Sequence, residues 1–270
     1  MSMIKRIQLL KSPVDVLTMQ ETLEKIDHSI QRGEHLQQVV VNAAKLVHMQ
    51  TDLALRKSVV ESDLINADGM AVVWAARLKG TPLPERVAGI DLMENLVRLS
   101  ARRGYKIYFF GGKEEVIQKM VANYTRQYGK EIIAGFRNGY FSSGEELEIA
   151  KSIAQSEADI LFVGISSPTK EIFINRYREK LGIPFIMGVG GAFDVISGKT
   201  KRAPVWMQNN GLEWFYRFLQ EPGRMWKRYL VTNTLFLYYF LCELIFRREK
   251  FAKEEEGGNS RQKASSFKTR

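Results

Sequence analysis

Three times between residues 107 and 194 the chain makes a short, nearly all-apolar run, closes it with glycine and moves into a helical pattern. Residues 107–110 run into Gly111-Gly112-Lys113, residues 160–163 into Gly164-Ile165-Ser166-Ser167-Pro168, and residues 184–189 into Gly190-Gly191-Ala192-Phe193-Asp194. Runs of this length without polar alternation read as strands buried on both faces, the signature of a parallel sheet covered by helices. Successive strand–glycine–helix units predict an α/β fold with parallel sheet units and flanking helices. Glycine after a strand allows a sharp turn and lets a ligand come close to backbone N–H groups. Gly111, Gly112, Gly190 and Gly191 are therefore candidate binding positions, and Asp194 is a carboxylate on the same ligand-binding edge.

The upstream third extends the pattern. Residues 39–41 predict a buried strand ending at Asn42, and residues 43–50 a short helix. Asn42 either caps that helix or contacts a ligand. Residues 64–65 form a brief apolar run before Asn66-Ala67-Asp68-Gly69-Met70, after which helical spacing resumes. Asp68 is thus either a helix N-cap or a carboxylate able to act as a general base. Arg86, in a stiff loop with Pro82 and Pro84, is either an exposed charge or a phosphate contact. Residues 15–32 carry helical spacing through Val16, Met19, Leu23, Ile26 and Ile30. The polar, aromatic stretch 135–144 could fold over a ligand. Pro168 fits a first helical turn, which would leave free N–H groups facing an anion.

Charge divides the chain. Of the formal net charge of +10, residues 1–198 hold 25 Lys/Arg against 23 Asp/Glu, and residues 199–270 hold 15 against 7. The last quarter alone is built to meet an anion. It opens with Lys199, Lys201 and Arg202 and continues with tryptophan, phenylalanine and tyrosine interleaved with Arg217, Arg224, Lys227 and Arg228. Arg224, Lys227 and Arg228 share one helical face. Residues 229–246 are strongly apolar yet contain Asn233 and Glu243, at the short limit for a membrane span. A helix lying in the interface is favoured over a crossing, with a core helix packed on the sheet as the plain alternative. Residues 251–270 are polar, and disorder is expected there. The expected division is a core over 1–204, an appendage over 205–250 and a tail over 251–270.

A single cysteine, Cys242, excludes an internal disulfide and makes a cysteine-rich metal site implausible. No apolar signal segment opens the chain, so the cytosol or the cytosolic face of a membrane is expected. A dinucleotide fingerprint is missing, which argues against a nicotinamide oxidoreductase. The basic tail alone would suit nucleic acid, but its continuous apolar face suits a bilayer better.

The motifs NADGM (66–70), PERVAGIDL (84–92), FFGGK (109–113), VGISSP (163–168), GVGGAFDVISGKTKRAPVWMQ (188–208) and GLEWFYRFLQEPGRMWKRYL (211–230), in this order, resemble the WecG/TagA/CpsF family of bacterial glycosyltransferases over roughly residues 10–232. The resemblance implies a Rossmann-like core with a C-terminal appendage. It also implies inverting, metal-independent transfer from a UDP-sugar, such as UDP-linked N-acetylmannosamine, to an undecaprenyl-diphosphate-linked sugar in cell-surface polymer assembly, with no cofactor. It makes Asp68 the base, places Arg86 in the active site and assigns Arg217, Arg224 and Lys227 or Arg228 to the lipid diphosphate. The implied setting is peripheral, on the cytoplasmic membrane face, with no nucleic-acid partner; the chain could also assemble with copies of itself. Two positions depart from the family pattern. Val40 stands where threonine is usual, and Lys170 replaces a substrate-contacting glutamine, which opens the donor to a uronic acid or a plain hexose. A fold kept without activity, as a nucleotide-binding membrane-surface protein, is the remaining alternative.

Overall fold

The computed structural model describes residues 4–142, 144–223, 226–227 and 229–245. The chain begins with an antiparallel hairpin, β1 (Arg6–Leu9) and β2 (Ser12–Asp15), followed by α1 (Met19–Gln31) and β3 (Leu36–Val41). Next come α2 (Ala43–His48), α3 (Leu53–Val60), β4 (Leu64–Ala67), α4 (Met70–Leu78) and α5 (Gly89–Arg103). The second half runs β5 (Ile107–Gly111), α6 (Glu114–Tyr128), β6 (Ile133–Arg137), α7 (Glu146–Ala154), β7 (Ile160–Gly164), α8 (Thr169–Leu181) and β8 (Phe185–Gly188). Three short helices follow: α9 (Ala192–Ile196), α10 (Val205–Asn209) and α11 (Glu213–Gln220). Residues 229–245 are helical as well.

Strands β3 to β8 make one six-stranded sheet in the order β4-β3-β8-β7-β5-β6, and every neighbouring pair is parallel. The expected α/β, Rossmann-like architecture is present. Alternation along each strand sends its side chains to two cores. On one face Phe109, Phe162, Phe185 and Met187 pack with Ile26, Leu92, Leu96 and Met120 of α1, α5 and α6. On the other, Phe110, Leu161 and Val163 pack with Phe173 and Ile174 of α8.

The N-terminal region differs from its helical expectation. Within the expected span 15–32, Asp15 ends β2 and α1 starts only after Thr18. A reciprocal cap explains the start: Glu21 donates its backbone N–H to the Thr18 hydroxyl at 3.1 Å, and the Glu21 carboxylate accepts the Thr18 N–H at 2.8 Å. Asp15, just upstream, instead ties the hairpin to β4, accepting the Ile65 N–H at 2.8 Å and Arg6 Nε at 2.6 Å.

The apolar segment after Tyr229 is docked on the body through one face. Phe236 and Phe240 are buried among Ile7, Leu9, Val14, Val41 and Leu83, with Leu235, Tyr239 and Leu244 beside them. Glu243 accepts the Leu10 N–H at 2.8 Å and pairs with Lys79. The opposite face, with Leu230, Val231, Leu237, Tyr238, Leu241 and Ile245, is exposed. The core-helix reading therefore accounts for half of this segment. Among the described residues no helix is long and apolar enough to cross a membrane. The tail at 251–270 lies outside the described residues.

Glycine packs strands as well as turning them. At Gly111 φ is +137°, and a Cβ there would overlap the Gly164 backbone of the neighbouring strand. Gly190 has open space where its Cβ would be. Gly111→Ala is expected to lower the unfolding free energy by about 2–4 kcal/mol, and Gly190→Ala to leave it within about 0.5 kcal/mol, both read by urea denaturation.

Candidate functional site

Because all six strands are parallel, their carboxyl ends share one edge of the sheet, and the turns leaving them build the cleft. Strand β3 ends at Asn42, β4 at Asp68, β5 at Gly111-Gly112, β7 at Gly164 and β8 at Val189-Gly190-Gly191. The expected ligand edge thus gathers Asn42, Asp68, Gly111, Gly112, Gly190 and Gly191 from separate parts of the sequence.

Asn42 caps α2: its Oδ1 accepts the Lys45 N–H at 3.0 Å. Asp68 does not cap α4, whose N-cap is Gly69. The Asp68 N–H donates to Val41 O at 2.8 Å, which extends the β3–β4 ladder and holds the residue at the rim of the cleft. Its carboxylate accepts the N–H of Gly89, the first residue of α5. Burial raises the proton affinity of the Asp68 carboxyl above the ordinary carboxylate range; Arg86 opposes this, Glu213 adds to it and Lys45 opposes it. A carboxyl kept easier to protonate than usual, facing a cleft, is suited to take a proton. Val40 lies beneath, 7% exposed, with its methyl groups under Gly89.

Arg86 is 15% exposed on its side chain, and its Nη1 donates to Glu213 Oε2 at 2.9 Å. Glu213 begins α11, so the C-terminal arm meets the PERVAG loop directly. The other Glu213 oxygen, Oε1, lies 3.5 Å from Arg202 Nε. Arg202 in turn forks onto Asp91 in the first turn of α5, with contacts of 2.6 and 2.8 Å. Two more contacts seat the arm. Gly211, before α11, lies against Met70 and Trp74 at the start of α4, and the Arg217 guanidinium lies on Gly191. Arg217 Nε is buried without a hydrogen-bond partner. α11 therefore roofs the cleft, from the helix after Asp68 to the β8 turn.

Lys170 sits under the cleft, 4% exposed. Its Nζ donates to Val189 O at 3.0 Å and lies 3.5 Å from Glu171 Oε1, and its stem packs on Gly188. Glu171, 2% exposed, lies 2.7 Å from Lys45 Nζ. Burial opposes charge on Glu171, but the Lys45 and Lys170 ammonium groups prevail and hold its carboxyl down to about 2. Burial, with help from Lys45, pushes Lys170 down to about 8 against the pull of Glu171. Asp194 pairs with Lys199 at 3.0 Å. Gly112 receives the Gly139 N–H on its carbonyl at 2.8 Å, which lays the 135–142 stretch on the β5 turn. Lys227 is exposed, and Arg224 and Arg228 lie outside the described residues.

A profile of the Glycosyl transferase WecG/TagA/CpsF family matches residues 7–250. This chain belongs to that family. Two relatives, from Bacillus subtilis (strain 168) and Bacillus spizizenii (strain ATCC 23059 / NRRL B-14472 / W23), are 38% and 37% identical over 169 residues. Both are named N-acetylglucosaminyldiphosphoundecaprenol N-acetyl-beta-D-mannosaminyltransferase. The aligned part is 63% of this chain and 65% of each relative, just under two thirds of their length. In this WecG/TagA/CpsF member α11 links the motif residues: Glu213 pairs with Arg86, which acts on Asp68, and Arg217 lies on Gly191. Lys45, Glu171 and Glu213 were given no role from sequence. Lys45 and Glu171 look like ordinary helix charges there, and Glu213 stands inside a quoted motif with nothing to mark its partners.

Among the described residues Glu171 is the one carboxylate ion-paired with the buried Lys45 and Lys170, so its loss leaves both uncompensated. Its folded proton affinity lies below the ordinary 4.5, so the stabilisation is complete above that pH and lost as pH falls toward about 2. Glu171→Gln is expected to lower the unfolding free energy at pH 7 by about 3–5 kcal/mol, with a smaller difference from the parent at pH 3, measured by chemical denaturation at both pH values.

Proposed function

We propose that this chain is a metal-independent, inverting glycosyltransferase that moves N-acetylmannosamine or a related hexose from a UDP-sugar to an undecaprenyl-diphosphate-linked sugar. The observation carrying this reading is the placement of Asp68: a carboxyl with raised proton affinity that does not cap the helix following it, opposite an arm whose Arg217 keeps an unpartnered nitrogen. Family membership and the names of the two relatives support the same reaction class.

The acceptor hydroxyl oxygen attacks the anomeric carbon as the bond from that carbon to the UDP oxygen breaks. Asp68 takes the hydroxyl proton. The departing diphosphate gains negative charge, which preorganised donors stabilise better than mobile water. Arg217, Arg86 and Lys227 supply cations, as do Arg224 and Arg228 by the family pattern. The starts of α6 and α8, which no side chain caps, add backbone N–H groups on the same edge of the sheet. Asn42, Gly111, Gly112, Gly190, Gly191 and Asp194 line the approach of the nucleotide sugar.

Lys170 bears on the donor. Its ammonium is engaged by the Val189 carbonyl and by Glu171, so it offers no free cation to a uronate. A neutral sugar suits this better than an acidic one. The exposed apolar side chains of α10, α11 and the 229–245 helix, among them Trp206, Trp214, Phe215 and Leu237, form a surface for peripheral attachment to the cytoplasmic membrane face, where a prenyl-linked acceptor resides.

Asp68→Asn is expected to reduce kcat by about 10²–10⁴-fold while UDP affinity by calorimetry stays near that of the parent; near-normal turnover would remove Asp68 as the base. The parent's kcat should fall as the pH drops, with a midpoint above the ordinary carboxylate range, because the base works only when ionised and burial raises its proton affinity.

A further inference from the structure

The ion pairs that seat the arm are laid out as a chain with Glu213 at its centre. Reading along it, Arg86 in the loop before α5 meets Glu213, Glu213 meets Arg202, and Arg202 meets Asp91 in the first turn of α5. Both ends of the chain are on the body, and Glu213 alone comes from α11. Its two oxygens are divided between two arginines, so one side chain holds the arm at two points. The contacts are partly shielded, with 15% of the Arg86 side chain, 31% of Glu213 and 21% of Arg202 exposed. Shielding of this degree makes a networked pair worth more than an isolated surface pair.

We propose that Glu213 is a positioning residue that latches α11 over the Asp68 cleft and thereby seats Arg217 on Gly191. This rests on the transferase reading above and deepens it. Four residues separate Glu213 from Arg217, one helical turn, so the two side chains share a face of α11 and the anchoring of one sets the place of the other. The latch also stands between Arg86 and Asp68. While Glu213 accepts from Arg86, part of the guanidinium charge is turned away from the base. The charged groups acting on Asp68 are Arg86, Glu213, Lys45 and Lys170, from four different segments. Only Glu213 adds negative charge there, so its removal, the release of Arg86 and the entry of water all make Asp68 easier to ionise.

The test uses the full chain with Glu213→Gln, Glu213→Asp and Arg202→Gln. Hydrogen–deuterium exchange across residues 205–220 is expected to speed up about tenfold in Glu213→Gln and Arg202→Gln, and the double variant to be no faster than either single one, because both break the same chain. Glu213→Asp should recover part of the protection. Peptides from β5 and β7 report whether the fold is intact. In turnover, the low-pH limb of kcat should move to lower pH in Glu213→Gln and move less in Arg202→Gln, which loosens the arm but leaves the Glu213 charge beside Asp68. Unchanged exchange over 205–220, or an unmoved pH limb, overturns the latch. Absence of transfer by the parent protein with every UDP-sugar offered would instead strike the proposed reaction, and the exchange measurement would still decide the latch.

Discussion

A parallel strand cannot be followed by its neighbour through a tight turn; the chain must travel back along the sheet before it starts again. Everything about the cleft descends from that. The returns between sheet strands run through helices, and six parallel strands therefore bring their carboxyl ends to one edge. Residues as far apart as Asn42, Asp68, Gly111 and Gly191 become neighbours without any of them contributing much to the packing that brings them there. The large apolar groups, Phe109, Phe162, Phe185 and Met187, do that work from inside the sheet.

The cleft sits over charge rather than over hydrocarbon. Lys45, Glu171 and Lys170 are nearly inaccessible to water, and each is tolerated only because another compensates it. The same cluster carries the electrostatic field into which Asp68 points, so the floor is both a structural burden and a source of tuning. Above it, the arm supplies an arginine lying on glycine at the β8 turn. A side chain at position 191 would have displaced that guanidinium, which explains why the turn leaves its backbone bare.

Much of this was readable before any coordinates. The apolar runs ending at glycine marked three of the sheet strands, β5, β7 and β8. What escaped was long-range pairing. Residues 15–32 carry helical spacing, but Asp15 closes β2 and holds β4, and that tertiary bond, together with the Thr18–Glu21 cap, moved the helix start downstream. Asp68 and Asn42 stood open between capping and function; Asn42 caps the helix that follows it, whereas Asp68 leaves the next helix to Gly69 and reaches Gly89 of α5 instead. Lys170 looked like a cation offered to substrate, and only its depth reveals that a backbone carbonyl and a carboxylate already hold it. The apolar stretch after Tyr229 has one face for the body and one left bare, a distinction that hydropathy averages away.

The bond from the Leu10 N–H to Glu243 joins positions 233 residues apart, and Phe236 and Phe240 fill the core that the first hairpin shares with β3. The hairpin therefore completes its packing only when this distant segment docks on it. The segment follows α11 in the chain, so the contacts that fill the hairpin core also tether the far end of the arm. Loosening the hairpin would slacken that tether as well.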